Sequence, residues 1–256
     1  MLNDFTRRSF SANTGTGHSV THDIYSRGRQ PETIVIMQEL PGIGIDTVNL
    51  ANTLHKNGFR VVMPHLFGPL GRLSMLGNLA RVFCMRREFR LFQTNKSSPV
   101  VDWLKALCRD LRDNHDATAI GVIGMCLTGN FAISLMADES VLAGVASQPS
   151  LPLFRQSELH MSDEEIHTVC QRLDDHGPMM ALRFEGDTIC TADKFKAIDS
   201  TFNDNNERIR LTQIPGNGHS VLTRDLIQGG ELTERALDEV ISYFSTKLRG
   251  HDETRL

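Results

Sequence analysis

Apolar residues recur along this chain in two rhythms that take turns. Short β-branched runs at residues 33–37, 59–63, 119–123, 141–147, 181–184 and 209–214 have the length and composition of buried strands. Residues 20–25 mix polar and apolar positions, which predicts an edge strand. Helical spacing falls between the runs. Residues 46–56 carry Val48, Leu50 and Leu54 on one face and stop at Asn57-Gly58. Residues 99–112 form an amphipathic helix, and a helical pattern runs through Phe131, Ile133 and Leu135. Ser162-Asp-Glu-Glu165 is a capping box that opens a helix to Leu173. Residues 191–198 and 231–248 predict the last two helices. Strands that alternate with helices in this way predict an α/β fold, with a mostly parallel sheet covered on both faces.

One strand–helix junction carries chemistry. Residues 121–129 read Gly-Val-Ile-Gly-Met-Cys-Leu-Thr-Gly, so Cys126 stands between an apolar strand and the start of a helix. A sharp turn there lifts the side chain to the helix N-terminus, where partial positive charge and free N–H groups favour a thiolate. The segment resembles the nucleophile elbow of α/β hydrolases, normally Gly-x-Ser-x-Gly, with Cys at the nucleophile position. That fold carries its triad in the order nucleophile, acid, histidine. Downstream, Ala-Leu-Arg-Phe-Glu-Gly ends at Asp187, and a second strand is followed by Pro-Gly-Asn-Gly and His219. Both residues fall just past predicted strand ends, where the sites of parallel sheets assemble. The oxyanion is expected to meet the backbone N–H groups of Leu127 and Leu40.

From about residue 20 to 245 the chain resembles the dienelactone hydrolases. The resemblance rests on Gln38-Glu39-Leu40-Pro41-Gly42, on residues 59–67, on the Cys126 elbow, on Gly186-Asp187 and on Gly218-His219-Ser220. It implies an α/β-hydrolase fold that cleaves esters or lactones, with Cys126 as nucleophile, His219 as base, Asp187 as orienting acid and Glu39 as an additional carboxylate. It also implies a resting state in which Glu39 holds a neutral Cys126 thiol and helps deprotonate it. The chain departs from the pattern in three places. Thr128 stands where the family elbow has glycine, His65 where Asp is usual, and Arg224 one position away from a substrate-binding arginine.

Composition narrows the picture. A chain of 256 residues with 40% hydrophobic and 23% charged residues describes one catalytic domain. Its net charge of −4 gives no reason to expect nucleic-acid binding. No apolar run approaches the roughly 18 residues of a membrane span. Five cysteines without zinc-like spacing predict reduced thiols in a cytoplasmic protein. No metal and no cofactor are expected, since no histidine pair lies in a recognisable ligand motif.

The expected organisation is an N-terminal arm at 1–17, the hydrolase domain at 18–249 and a polar tail at 250–256. Thr6-Arg-Arg-Ser-Phe10 lacks the following apolar stretch of an export signal, so it is read as an exposed arm. Residues 66–97 break the strand–helix rhythm and predict a cap over the strand ends, rich in Arg72, Arg81, Arg86, Arg87 and Arg90. These arginines read either as a solvated helix face or as a site for an anionic substrate. Arg90, Arg224 and His65 are the candidate substrate-binding residues. The expected partner is a small soluble ester or lactone, with no nucleic acid and no membrane, and the protein is a monomer or homodimer. A thioesterase or acyltransferase using the same Cys126 is a second reading; a binding or redox-sensing protein that kept the fold is a third.

Overall fold

The computed structural model describes residues 1–14, 19–40, 42–68, 70, 98–152, 155–226 and 230–250. Its strands form where apolar residues serve two faces at once. In β3 (Glu32–Met37), Ile34 and Ile36 enter one core while Val35 and Met37 enter the other. β5 (Ala119–Met125) divides likewise, with Ile120 and Val122 on one side and Ile123 and Met125 on the other. Strands apolar on both faces need helices above and below.

The remaining strands are β1 (Thr6–Asn13), β2 (Ser19–Arg27), β4 (Arg60–Pro64), β6 (Val141–Ser147), β7 (Met179–Phe184) and β8 (Ile209–Ile214). They form an eight-stranded sheet in the order β1-β2-β4-β3-β5-β6-β7-β8. From β4 to β8 every neighbour is parallel, while β2 joins β4, and β1 joins β2, antiparallel. Helices α1 (Ile45–Lys56) and α6 (Glu231–Phe244) cover one face, with Val48, Leu54, Val240 and Phe244 in its core. Helices α2 (Pro99–Asn114), α3 (Gly129–Leu135), α4 (Asp163–His176) and α5 (Ala192–Phe202) supply the other, through Leu104, Phe131, Leu173 and Phe202. The Ser162 capping box opens α4 as expected: the Ser162 hydroxyl accepts from the Glu165 N–H at 3.2 Å.

The N-terminal segment differs from the expectation. Residues 6–13, read as an exposed arm, are strand β1, and it is β1 rather than residues 20–25 that forms the edge. The segment alternates, but its inward side holds only Arg8, Phe10 and Ala12, all half-buried, so its hydrophobic signal is weak. Tertiary packing supplies what propensity does not. Phe10 meets Trp103 of α2 edge-on at 5.4 Å, and the Trp103 indole N–H donates to the Val20 carbonyl at 3.1 Å. The final helix is also shorter than expected, with a π turn at Ser245–Arg249 after α6. Residues 71–97, the bulk of the predicted cap, lie outside the described residues, as does most of the 250–256 tail.

The sheet topology places the site. The chain runs from β3 outwards to β4, then crosses back to β5 on the other side of β3. Such a reversal opens a crevice beyond the carboxyl ends of the two central strands. Met37 pairs with Gly124, and Met125 with Ser147, so Gln38, Cys126 and Gln148 follow side by side along one edge.

Candidate active site

Cys126 stands one residue past β5 and adopts φ of +57°. That left-handed conformation costs a non-glycine residue about 1–3 kcal/mol and persists where the surroundings force it. The force comes from both sides. A Cβ on Gly124 would lie 2.1 Å from the Thr128 carbonyl oxygen, and one on Gly129 would lie 2.7 Å from Pro149 Cα. The chain therefore reverses through a 3-10 turn, Cys126–Thr128, directly into α3. The Ser150 N–H donates to the Cys126 carbonyl at 3.0 Å, which ties the loop after β6 to the elbow.

Asp187 follows β7 in a short loop. Its side chain is fully buried, and Oδ1 accepts the Ile189 and Cys190 N–H groups at 2.8 and 3.0 Å. Arg183, itself buried, donates to the Glu185 carbonyl at 2.7 Å and the Cys190 carbonyl at 3.0 Å, so both ends of this loop are held. The free oxygen of Asp187, Oδ2, lies 2.7 Å from His219 Nδ1. His219 is fixed from its backbone too. Asp225 Oδ2 accepts the N–H groups of His219 and Ser220 at 2.7 and 2.9 Å. Nε2 of His219 is buried and makes no hydrogen bond of full geometry, but Cys126 is close enough to act on it. Burial opposes a charged ring. The Asp187 hydrogen bond and the Cys126 thiol outweigh it and raise the imidazole pKa to about 10, from the usual 6.5.

Glu39 reaches the same edge from the end of β3 and is 7% exposed. Gln148 Nε2 donates to Oε2 at 3.1 Å, the Ser220 hydroxyl to Oε2 at 2.8 Å, and the Thr223 hydroxyl to Oε1. The Cys126 thiol is not among its partners, in contrast to the pairing that the resemblance implies. Burial raises the Glu39 pKa against the opposing pull of Thr223, Ser220 and His219. Glu39 thus braces the loop that carries His219.

Cys126, Asp187, His219 and Glu39 gather at one sheet edge. Leu127 is buried in the elbow, and Leu40 is half-buried one residue after Glu39. His65 Nε2 is occupied by the Gly68 carbonyl of its own turn at 2.7 Å. Arg224 is exposed, next to Thr223. Arg90 and the other cap arginines lie outside the described residues. Burial raises the thiols of Cys108, Cys170 and Cys190, which keeps them protonated and inert. Sequence reasoning passed over Gln148, Thr223 and Asp225. Gln148 carried a usable signal, since it too is a polar residue immediately after a strand. Asp225 carried none, because its role depends on how the loop from 219 to 225 folds back.

A family model decides what this arrangement belongs to. The model of the dienelactone hydrolase family matches residues 24–248. The chain belongs to the dienelactone hydrolase family. As a member, it is a carboxylic ester hydrolase with the α/β-hydrolase fold. No curated protein matches it by sequence. Solved structures share the fold at low identity. A putative dienelactone hydrolase from Klebsiella pneumoniae is 14% identical with a TM-score of 0.63, over 94% of this chain and 99% of that one. A dienelactone hydrolase-like promiscuous phosphotriesterase from metagenomic libraries is 13% identical with a TM-score of 0.68, over 96% of this chain and 100% of that one. Carboxyl esterase 2 from Tuber melanosporum is 14% identical with a TM-score of 0.58, over 96% of this chain and 88% of that one. Among the described residues no helix is long and apolar enough to cross a membrane.

Proposed function

We propose that this dienelactone hydrolase family member cleaves a small, water-soluble ester or lactone through a Cys126-His219-Asp187 triad. The observation that carries the reading is the positive φ of Cys126 at the end of a parallel strand, beside a histidine that is itself bonded to a buried aspartate. That combination serves acyl transfer and has no evident packing purpose.

His219 takes the Cys126 thiol proton as general base. The thiolate attacks the carbonyl carbon, and the carbonyl electron pair moves to oxygen. The N–H groups of Leu127 and Leu40 receive this oxyanion, and one such donor is typically worth about 3–4 kcal/mol of barrier. On collapse the C–O bond breaks, and the His219 imidazolium gives its proton to the leaving alkoxide. A thioester remains on Cys126. Neutral His219 then takes a proton from water, hydroxide adds to the thioester, the thiolate departs, and His219 returns the proton to it. Asp187 fixes the tautomer and stabilises the imidazolium throughout. Glu39 keeps Ser220 and Thr223, and with them the His219 loop, in register. No metal or cofactor enters the scheme.

A screen of short-chain aryl esters and small lactones tests the reading, before and after thiol alkylation. Turnover that iodoacetamide removes supports it. Turnover indifferent to complete alkylation of Cys126 contradicts it.

A further inference from the structure

We propose that Thr128, which stands where the family elbow has glycine, is a positioning residue that sets the separation of the two oxyanion donors; this rests on the hydrolytic reading above. The parallel ladder between β3 and β5 ends at the pair Met37 and Gly124. One step further on, the Thr128 hydroxyl bridges the two strands. Oγ1 accepts the Met125 N–H at 2.8 Å, and its proton faces the carbonyls of Met37 and Gln38 at 3.1 Å each and that of Met125 at 3.0 Å. A hydroxyl has one proton and two lone pairs, so it suits a point where one N–H and several carbonyls converge. Thr128 is fully buried there, and water does not compete.

The hydroxyl stands in for the next rung of the ladder. From that rung the two branches diverge symmetrically. Leu40 lies two residues beyond Gln38, and Leu127 lies two residues beyond Met125. Gln38 is anchored on its far side as well, its side chain donating to the Phe67 carbonyl at 2.5 Å and accepting the Leu66 N–H at 3.2 Å. The Thr128 link is therefore what joins an otherwise braced β3 end to the elbow. A glycine at this position has no group that makes the link. Oxyanion donors act within a narrow distance range, so loosening this joint weakens transition-state binding before it affects substrate binding.

The test compares Thr128→Val, which keeps the shape and loses the hydroxyl, with Thr128→Ser, which keeps the hydroxyl. Three quantities are measured: kcat, KM on a short aryl ester, and the rate of Cys126 alkylation by iodoacetamide. Alkylation displaces iodide from a saturated carbon and builds no oxyanion. Thr128→Val is expected to lower kcat about 10- to 100-fold, with KM and alkylation within about threefold of wild type. Thr128→Ser is expected to restore kcat to within about threefold. Wild-type kcat in Thr128→Val overturns the inference and leaves the hydrolytic reading standing. So does an alkylation rate that falls in step with kcat, or a Thr128→Ser variant as impaired as Thr128→Val. If melting curves show that Thr128→Val does not fold, Thr128→Ala takes its place under the same criteria. Full turnover in Cys126→Ala would instead overturn the hydrolytic reading, and the inference with it.

Discussion

Asp187 and His219 sit 32 positions apart in sequence, at the ends of adjacent strands β7 and β8, and meet at 2.7 Å. Against the ring's burial, that contact and the neighbouring Cys126 together raise the histidine, and stability therefore depends on pH. Because the folded pKa lies above the unfolded one, the pair's contribution is complete below pH 6.5 and is lost as pH rises through about 10. Asp187→Asn removes it. Thermal unfolding across pH 6 to 10 is expected to show a declining stability difference between wild type and this variant. A difference that is constant over that range would contradict the assignment. The same substitution is expected to lower kcat by several orders of magnitude, because the imidazole loses both its tautomer and its stabilising charge.

The other cysteines provide an internal control. Cys108→Ala, Cys170→Ala and Cys190→Ala are expected to keep most of the activity, and Cys84→Ala likewise. Loss of a small buried side chain costs roughly 1 kcal/mol through the cavity left behind, so Cys108→Ala should melt slightly lower and turn over normally. Near-complete loss of kcat in a folded Cys190→Ala protein would count against a single thiol nucleophile.

Glu39→Gln separates bracing from direct contact with the thiol. The carboxylate accepts from Gln148, Ser220 and Thr223, and Cys126 is not among its hydrogen-bond partners. An amide offers one oxygen in place of two, so at least one buried hydroxyl must turn away. The expected outcome is about 1–3 kcal/mol of lost stability, less whatever is regained by removing a buried charge. The pH profile of Cys126 alkylation is expected to stay in place. A profile that moves by a full unit would indicate that Glu39 acts on the thiol itself.

Much of this arrangement was legible in the chain, and the reasons differ from place to place. β3 and β5 were readable because burial on both faces leaves continuous apolar runs. Cys126, Asp187 and His219 were readable because each follows such a run directly. β1 was not, since a single aromatic residue, Phe10, gives its sequence little hydrophobic signal and the ring it packs against, Trp103, lies far along the chain. The partners of Glu39 were hidden for a similar reason. Ser220 and Thr223 lie more than 180 positions away, and only the folded loop brings them to it. Thr128 was visible as a departure from the elbow pattern, but its bridging role appears only once the ends of β3 and β5 are adjacent.

Substrate charge is open to a direct comparison. Arg224 is exposed five residues after His219, and the sequence of residues 66–97, the predicted cap, adds Arg72, Arg81, Arg86, Arg87 and Arg90. Guanidinium groups capture carboxylates bidentately. An ester bearing a carboxylate is expected to show a higher kcat/KM than its neutral isostere, with the advantage shrinking as salt rises and in Arg224→Ala or Arg90→Ala. Equal efficiency for both esters at every salt concentration would remove the preference without touching the triad.

Catalysis through a thioester on Cys126 is tested by trapping that intermediate. An activated aryl ester is mixed with the enzyme, quenched in acid within the first turnover and digested for peptide mass analysis. His219→Ala slows the water step and serves to accumulate the intermediate. The expected result is an added acyl mass on the peptide containing Cys126, labile to hydroxylamine, and neither adduct nor turnover in Cys126→Ala. An acyl group on another residue, or full turnover in Cys126→Ala, would contradict it.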